Sequence, residues 1–193
     1  MTVQMIRQIG LDGATTESFT VNLGEAPVPE RSYGSDVFAV SYAHGVVNIY
    51  FGQTKASDPA ALHSLLAIRM SPTSTHNFIS SLVEGGASST QRSLEATLLA
   101  QRNNRDEPFV IVADPDHLVK LTANFAVTAV SNGDACLDFM NASPFSMVAM
   151  QSLQKLAVQP VVRVELPSPQ LLGLIKSLKS LQNELPPPLM VAK

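Results

Sequence analysis

A hairpin-like segment that occurs twice is the feature that most constrains how this 193-residue chain can fold. One copy spans residues Phe38–Phe51 and the other Phe125–Phe139. Both begin with Phe-Ala-Val, carry a glycine near the middle and end on phenylalanine. Apolar residues alternate with other residues on both sides of the glycine, which is typical of two antiparallel strands joined by a tight turn. The sequence therefore predicts two β-hairpins, turning at Ala43-His44-Gly45 and at Ser131-Asn132-Gly133.

The elements around the two hairpins recur in the same order. Each half reads as a strand, a break with proline, the hairpin, a loop, a long alternating strand and an amphipathic helix that starts at Ser and Pro residues. The predicted segments are strands at Phe19–Leu23 and Phe109–Val112, loops at 52–59 and 141–150, long strands at Leu62–Met70 and Leu156–Leu166, and helices at 71–85 and 167–181. The start of the first long strand is also compatible with a helical turn after Pro59.

These recurrences predict an α+β fold of two similar antiparallel β-sheet plus helix repeats packed as a pseudo-dimer. Residues 1–104 would form the first repeat with a linker helix over 88–102, and residues 105–193 the second. Aligning the halves places Phe38 over Phe125 and Leu82 over Leu178. The halves could share one continuous sheet or pack helix layer on helix layer. The alternative is two ordinary antiparallel layers that are alike by chance.

The amino-acid composition and net charge limit the kinds of partner and the cellular location to be expected. Charged residues make up 15% of the chain, below the usual figure of roughly 25%, which favours a surface covered by another subunit and hence a homo-oligomer. The net charge is −3 without a run of Lys or Arg, so nucleic-acid binding is disfavoured. No apolar run approaches the length of a membrane span, and we expect no secretory signal. With the single cysteine Cys136 there is no sign of an oxidising compartment, so a cytoplasmic protein is expected.

Several segments resemble a family of short bacterial domains of unknown function. The pattern is an Asn before an apolar strand, a strand ending in an Asp-Phe pair, and an apolar strand with Arg leading through Ser-Pro into a helix. It is matched by Asn124-Phe125-Ala126-Val127, Leu137-Asp138-Phe139 and residues 163–169, and in the first half by 38–40, 49–52 and 68–72. The resemblance implies this fold and no activity. Four antiparallel strands followed by a helix are also similar to the subunit plan of SecB-type export chaperones.

No residue pattern predicts a catalytic, cofactor or metal site. The four histidines His44, His63, His76 and His117 lack metal-ligand spacing. His117 follows Asp114-Pro115-Asp116, which could be a proton-transfer or metal cluster but is also ordinary turn chemistry. Alternation points Cys136 away from the apolar face, and no activating base is readable. Gly85-Gly86-Ala87-Ser88-Ser89 lacks the Lys and spacing of a phosphate-binding loop.

The segment 144–150 is more apolar than an ordinary loop. Methionines adapt to varied partners and exposed apolar patches mark interfaces, so Phe145, Met147 and Met150 are the predicted partner-binding residues. The alternative is a short buried helix that fills the open face of the sheet. The leading hypothesis is a non-enzymatic, self-associating protein-binding or assembly module. Two others are a SecB-like holdase for unfolded clients, and an enzyme or ligand-binding domain with a non-local site.

Overall fold

The protein has the α+β class that the sequence predicts. The structure, a computed structural model, describes residues 1–9, 15–85, 110–112, 118–131 and 133–187. Its strands are β1 (Val3–Ile9), β2 (Thr15–Val21), β3 (Ser32–Gly34), β4 (Val37–Ala43), β5 (Val46–Lys55), β6 (Asp58–Met70), β7 (Val110–Val112), β8 (Val119–Thr122), β9 (Phe125–Ser131), β10 (Asp134–Ala142) and β11 (Val158–Pro167). The helices are α1 (Pro72–Gly85), α2 (Pro144–Leu153) and α3 (Ser168–Gln182), with one 3₁₀ turn at Leu23–Glu25.

The strands form two main sheets and a separate hairpin. The first sheet has the order β4-β5-β6, with β7 and β8 both pairing in parallel with β6. The second sheet has the order β3-β11-β10-β9. Strands β1 and β2 pair only with each other among the described residues. The two main sheets are therefore separate, rather than one continuous sheet.

Both predicted hairpins are confirmed. Strands β4 and β5 turn at His44 and Gly45, whose φ angles of 53° and 76° are both left-handed. Two left-handed residues are what a type I′ turn requires, and this turn matches the twist of the flanking antiparallel strands. In the second hairpin, Gly133 has a φ of 94° between β9 and β10. Glycine adopts this conformation without steric cost, which explains why it recurs at both turns.

A short strand crosses from each half of the chain to the other sheet. Strand β3 precedes the hairpin of the first sheet but pairs in parallel with β11 of the second, with Tyr33 opposite Val164. Strand β8 precedes the hairpin of the second sheet but pairs in parallel with β6 of the first, with Leu121 opposite Ile68. Each sheet is thus completed by a strand from the other half.

One hydrophobic core lies between the two sheets and helices α1 and α3. It contains the inward residues of the first sheet (Val47, Ile49, Phe51, Leu66, Ile68, Met70), of the second sheet (Ala135, Leu137, Phe139, Val162, Val164, Leu166) and of the helices (Phe78, Leu82, Leu174, Leu178). The ring of Phe139 lies 5.9 Å from that of Phe51 and 5.7 Å from that of Phe78. Helix α1 packs against β9 and α3 against β4, so each helix also contacts the other half.

Three local predictions need correction. Residues 52–59 are not a loop, because β5 runs to Lys55 and pairs with β6 from Asp58; backbone pairing continues although the side chains become polar. The residues after Pro59 are strand, not a helical turn. Phe38 does not match Phe125: Phe38 faces Phe51 on the core side, whereas Phe125 faces Met140, and one residue of slip turns a strand side chain to the opposite face.

Both predicted amphipathic helices are confirmed, and several other predictions lie outside the described residues. The predicted helix after Ser71 is α1, and the one after Pro167 is α3. Pro160 adjoins a bulge in β11, where Val161 is the extra residue between the partners of Phe139 and Met140; bulges are one of the few places where a strand accepts proline. The predicted linker helix over 88–102 and the boundary at residue 104 lie outside the described residues. Internal duplication stays a prediction.

Candidate functional site

The prediction of a loop at 141–150 was wrong, because β10 continues to Ala142 and α2 begins at Pro144. The Ser143 side chain accepts a hydrogen bond from the Ser146 N–H at 3.1 Å, and Pro144 is the first helical residue. Helices favour this start, because a serine oxygen satisfies a free N–H and proline has none to lose. The helix ends at Gln154, whose φ of 50° is left-handed and whose N–H donates to Met150 O. The Ser-Pro signal was readable in the sequence, since α1 begins the same way.

One side of α2 is fixed to the body of the protein. The Ser146 hydroxyl donates to Ala157 O at 2.8 Å and accepts from the Ala157 N–H at 2.8 Å. Met150 packs into a small cluster around the buried residues Ala142 and Leu156, separate from the main core. Met1 joins this cluster, and its backbone exchanges hydrogen bonds with Leu156 at 2.9 and 3.1 Å. These contacts hold the helix in one orientation.

The opposite side of α2 exposes large apolar side chains to solvent. Phe145 is 87% exposed, Val148 79%, Leu153 65% and Met147 44%. Of the five exposed large hydrophobic residues in the described part of the chain, these are four; the fifth is Val28. Phe145 and Val148 are one turn apart and form an exposed stripe, whereas Leu153 is exposed as the last residue of the helix. We call Phe145, Val148 and Leu153, with Met147 at the edge, the α2 surface.

The three residues predicted to bind a partner point in different directions. Phe145 faces solvent, Met147 lies at the flank of the stripe, and Met150 is half-buried against the protein. Sequence reasoning missed Val148 and Leu153. The exposure of Val148 follows from the helical period once a helix is assigned, because Ser146 and Met150 then share the inward side. Leu153 is instead exposed as the last residue of α2.

The α2 surface carries no charge. No Asp, Glu, Lys or Arg occurs from Asn141 to Gln154, and the first charged residue beyond is the exposed Lys155. Helices that lie on anionic membranes combine an apolar face with a Lys- or Arg-rich polar face, and α2 lacks the second feature. Recognition at this surface would therefore rest on apolar contact and shape.

A cluster of polar residues lies on the outer face of the second sheet. Asp138 and Arg163 face each other across β10 and β11 and form a two-point ion pair, with both N–O distances 2.7 Å. Hydrogen bonding to Asp138 raises the pKa of the Arg163 guanidinium. The neighbouring Cys136 lines a cavity of about 660 Å³, its Sγ lying 3.6 Å from Asp138 Oδ1.

The electrostatics of this cluster suppress thiol chemistry. Burial raises the pKa of the Cys136 thiol to about 11, and the charge of Asp138 adds to the rise. At neutral pH roughly one thiol in ten thousand would be ionised, and the thiolate is the nucleophilic form. Cys136 is therefore a poor candidate for a catalytic nucleophile.

Two of the three described histidines have structural surroundings, whereas the buried Nε2 of His63 has no hydrogen-bond partner among the described residues. His44 lies in the hairpin turn. The His76 ring bridges the end of α3, with Nδ1 3.1 Å from Gln182 Nε2 and Nε2 3.1 Å from Pro186 O. Within the described part of the chain, no three His, Cys, Asp or Glu residues are grouped as a metal site. Asp114, Asp116 and His117 lie outside that part, so the idea of a non-local site there stays a hypothesis.

Comparison with known proteins gives no further guide. No protein-family model matches the chain, and no curated protein matches it either. None of the described helices combines the length and hydrophobicity needed to cross a membrane. The α2 surface is therefore the feature of the molecule from which a function is inferred.

Proposed function

We propose that the chain is a non-enzymatic protein-binding or assembly module that associates with itself through the α2 surface. The observation that carries the proposal is the concentration of exposed apolar side chains on this one helix. Scattered exposed apolar residues are normal on a soluble protein, whereas a contiguous patch is typical of an interaction site.

The fold itself does not require a helix at this place. In the first sheet, the corresponding connection between β5 and β6 is a tight turn at Ala56 and Ser57, flanked by the pair Lys55 and Asp58. That sheet forms with the same strand order and without an inserted helix. A costly exposed apolar face that the fold can do without is best explained by contact with a partner.

Energetics and charge favour a second copy as the partner. Burying a Phe, Leu or Val side chain contributes about 1.5–3 kcal/mol, so three such residues on each of two copies can drive association. In a contact with twofold symmetry, charged residues near the axis lie next to their own copies, and an uncharged stripe there avoids this repulsion. The largest patch on a typical monomer covers roughly 300–600 Å², below the ~800 Å² per partner of a standard interface, so we expect a reversible dimer.

Sedimentation velocity over a range of concentrations tests the proposal. The unaltered chain should shift from monomer to dimer as concentration rises. Phe145→Asp combined with Val148→Asp should keep it monomeric, because the contact would have to bury two carboxylates. Val28→Asp is the matched control, since Val28 is 63% exposed and lies outside α2. A monomer at every concentration, or a dimer unaffected by the double substitution, would contradict the proposal.

A SecB-like holdase is the second candidate, and the open sheet edges favour it. Within the described residues, β4 pairs only with β5, and β9 only with β10. Neither strand contains a charged residue or a proline, the usual protections of an exposed edge. An extended client segment could add to such an edge through backbone hydrogen bonds.

Suppression of the aggregation of reduced insulin B chain separates the two candidates. A holdase should suppress it, and Ser41→Lys in β4 or Ala129→Lys in β9 should weaken the effect. The double substitution in α2 should leave it unchanged. Absence of suppression by the unaltered chain would remove this candidate.

A further inference from the structure

We infer that the protein is a tethered dimer of two equivalent units, each of which completes the other's sheet, so that the surface between the units fits a second unit of the same kind. The first unit comprises β3–β6 and α1, and the second β8–β11 and α3. This inference concerns the contact inside one chain and is independent of the α2 surface.

The two hairpin sheets share an irregularity at the same place. In the first sheet the register between β5 and β6 shifts directly after Phe51, which brings Gly52 opposite Ser64. In the second sheet the register between β10 and β11 shifts directly after Phe139, which brings Met140 opposite Pro160. A β-bulge is a specific insertion in a ladder, and its recurrence after matching phenylalanines indicates equivalent strands.

The exchanged strands obey the same register. The pair Tyr33 and Val164 in one sheet matches the pair Leu121 and Ile68 in the other. Two residues further along each exchanged segment, the backbone N–H groups also make corresponding hydrogen bonds. The Ser35 N–H donates to Glu165 O at 2.8 Å. The Ala123 N–H donates to Arg69 O at 3.1 Å.

A polar side chain closes each hairpin at the same position. Asp36 Oδ1 accepts a hydrogen bond from the Thr54 N–H at 2.9 Å. Asn124 Oδ1 accepts one from the Ala142 N–H at 2.8 Å. The asparagine of the Asn124-Phe125-Ala126-Val127 segment thus has a structural role, because its amide extends the strand ladder by one residue. The Asn124 amide also donates to Ala142 O at 2.7 Å, a bond that Asp36 cannot make when ionised.

The backbone repeats this correspondence next to those side chains. The Asp36 N–H donates to Gly52 O at 3.2 Å, and the Asn124 N–H donates to Met140 O at 3.1 Å. Register, bulges, exchanged strands and closing bonds therefore all relate the units by one alignment. In that alignment Phe51 matches Phe139.

Neither unit has a complete sheet or core by itself. Without the other unit, β6 or β11 would lose its neighbour along part of its edge, and the apolar face shared through Phe51, Phe78 and Phe139 would be open to water. Helices α1 and α3 would lose the strands of the other unit against which they pack. The units should therefore fold and unfold together, whether or not a peptide bond joins them.

Cutting the full chain tests this dependence. A protease recognition site is inserted at residues 95–96, in the Phe145→Asp and Val148→Asp background so that contact through α2 does not interfere. After cleavage of the native protein, light scattering should give the mass of the uncut chain, and thermal unfolding should be one transition whose midpoint rises with concentration. The uncut chain of the same background is the control, with a midpoint independent of concentration.

Hydrogen exchange tests whether each unit depends on the other for the closing of its sheet. On dilution of the cut protein, the Ser35 and Ala123 amides should lose protection together, because each bonds across the contact. Separation into two fragments of which one keeps its own cooperative transition would overturn the inference. So would protection that persists at one of these amides after dilution.

Discussion

The connection between the last two strands of each hairpin sheet differs between the two halves of the protein. Strands β5 and β6 meet in a tight turn at Ala56 and Ser57, whereas β10 and β11 are joined through α2. The pairing of β3–β6 and β8–β11 otherwise follows the same strand order, while β7 adds a further strand to the first sheet. The comparison separates what the fold needs, which occurs in both halves, from what has been added, which occurs in one.

The outer faces of the two sheets also differ, whereas their inner faces are alike. At matching positions, the first sheet pairs Tyr50 with Ala67, while the second pairs Asp138 with Arg163. The inward positions are apolar in both sheets because they share one core. The outward positions have no such common constraint, so their chemistry differs.

The largest expected difference between the halves is at the paired phenylalanines. The Phe139 ring packs against two aromatic rings, those of Phe51 and Phe78, whereas the Phe51 ring packs against that of Phe139 alone among these. Phe139→Ala should lower the free energy of unfolding by about 5 kcal/mol and Phe51→Ala by about 4 kcal/mol, since each leaves a cavity and Phe139 loses one more ring contact. Urea denaturation measures both values. Equal or reversed losses would show that the extra ring contact does not set the order.

The first sheet requires a glycine at position 52, whereas the second sheet has a methionine at the matching position. A Cβ at Gly52 would lie 2.3 Å from His63 O, whereas the matching position is occupied by Met140. Gly52→Ala should therefore cost about 3 kcal/mol in unfolding free energy, because backbone must move. Gly34→Ala is the control, since nothing lies within 4 Å of the added atom. Similar midpoints for both variants in thermal unfolding would refute the argument.

Exchanging the closing residues sharpens the comparison. Asn124→Asp should destabilise the protein by about 2 kcal/mol, because a carboxylate cannot donate to Ala142 O and would be held beside it. Asp36→Asn should change stability by under about 0.5 kcal/mol, since an amide oxygen can still accept from the Thr54 N–H. Chemical denaturation at neutral pH compares them. A larger loss for Asp36→Asn would mean that the two positions are not equivalent.

The smallest expected effect concerns reactivity at the outer face. Because the pKa of the Cys136 thiol is about 11, iodoacetamide should modify it slowly at pH 7.5 and faster as the pH approaches 11. Asp138→Asn should speed the reaction by removing one of the causes of the raised pKa. Asp134→Asn is the control, because Asp134 lines the cavity but does not contribute to that rise. Fast labelling of the unaltered protein at pH 7.5 would contradict the electrostatic account.

Sequence patterns predicted the elements that carry a strong period or a local signal. The hairpins followed from alternation and from glycines at the turns, and α1 and α3 from Ser-Pro starts and helical spacing. The exchanged strands β3 and β8 could not be predicted, because three- and four-residue strands show too little alternation and their partners are distant in the chain. The alignment of Phe38 with Phe125 was wrong because it relied on the identical Phe-Ala-Val sequences. The strand pairing shows that Phe38 lies opposite Phe51, whereas Ala126, not Phe125, lies opposite Phe139.

The sequence predicts the position of the α2 surface in the chain but not the direction of each of its side chains. Its apolar composition singled out the segment, and the Ser143-Pro144 start could have identified a helix. The direction of Met150 could not be predicted, because it depends on the cluster formed with Leu156 and Met1 from distant parts of the chain. The sequence also placed no limit on which side of the sheet the helix would occupy.

The most direct test is to make the two halves alike. Ala142 and Val158 pair directly across β10 and β11, so a two-residue Asn-Gly turn can replace residues 143–157. Sedimentation velocity and thermal unfolding are then compared with those of the unaltered chain. The account predicts a variant that still unfolds in one cooperative transition but stays monomeric at every concentration. A variant that dimerises as before, or that lacks a cooperative transition, would contradict the claim that α2 is an addition for association.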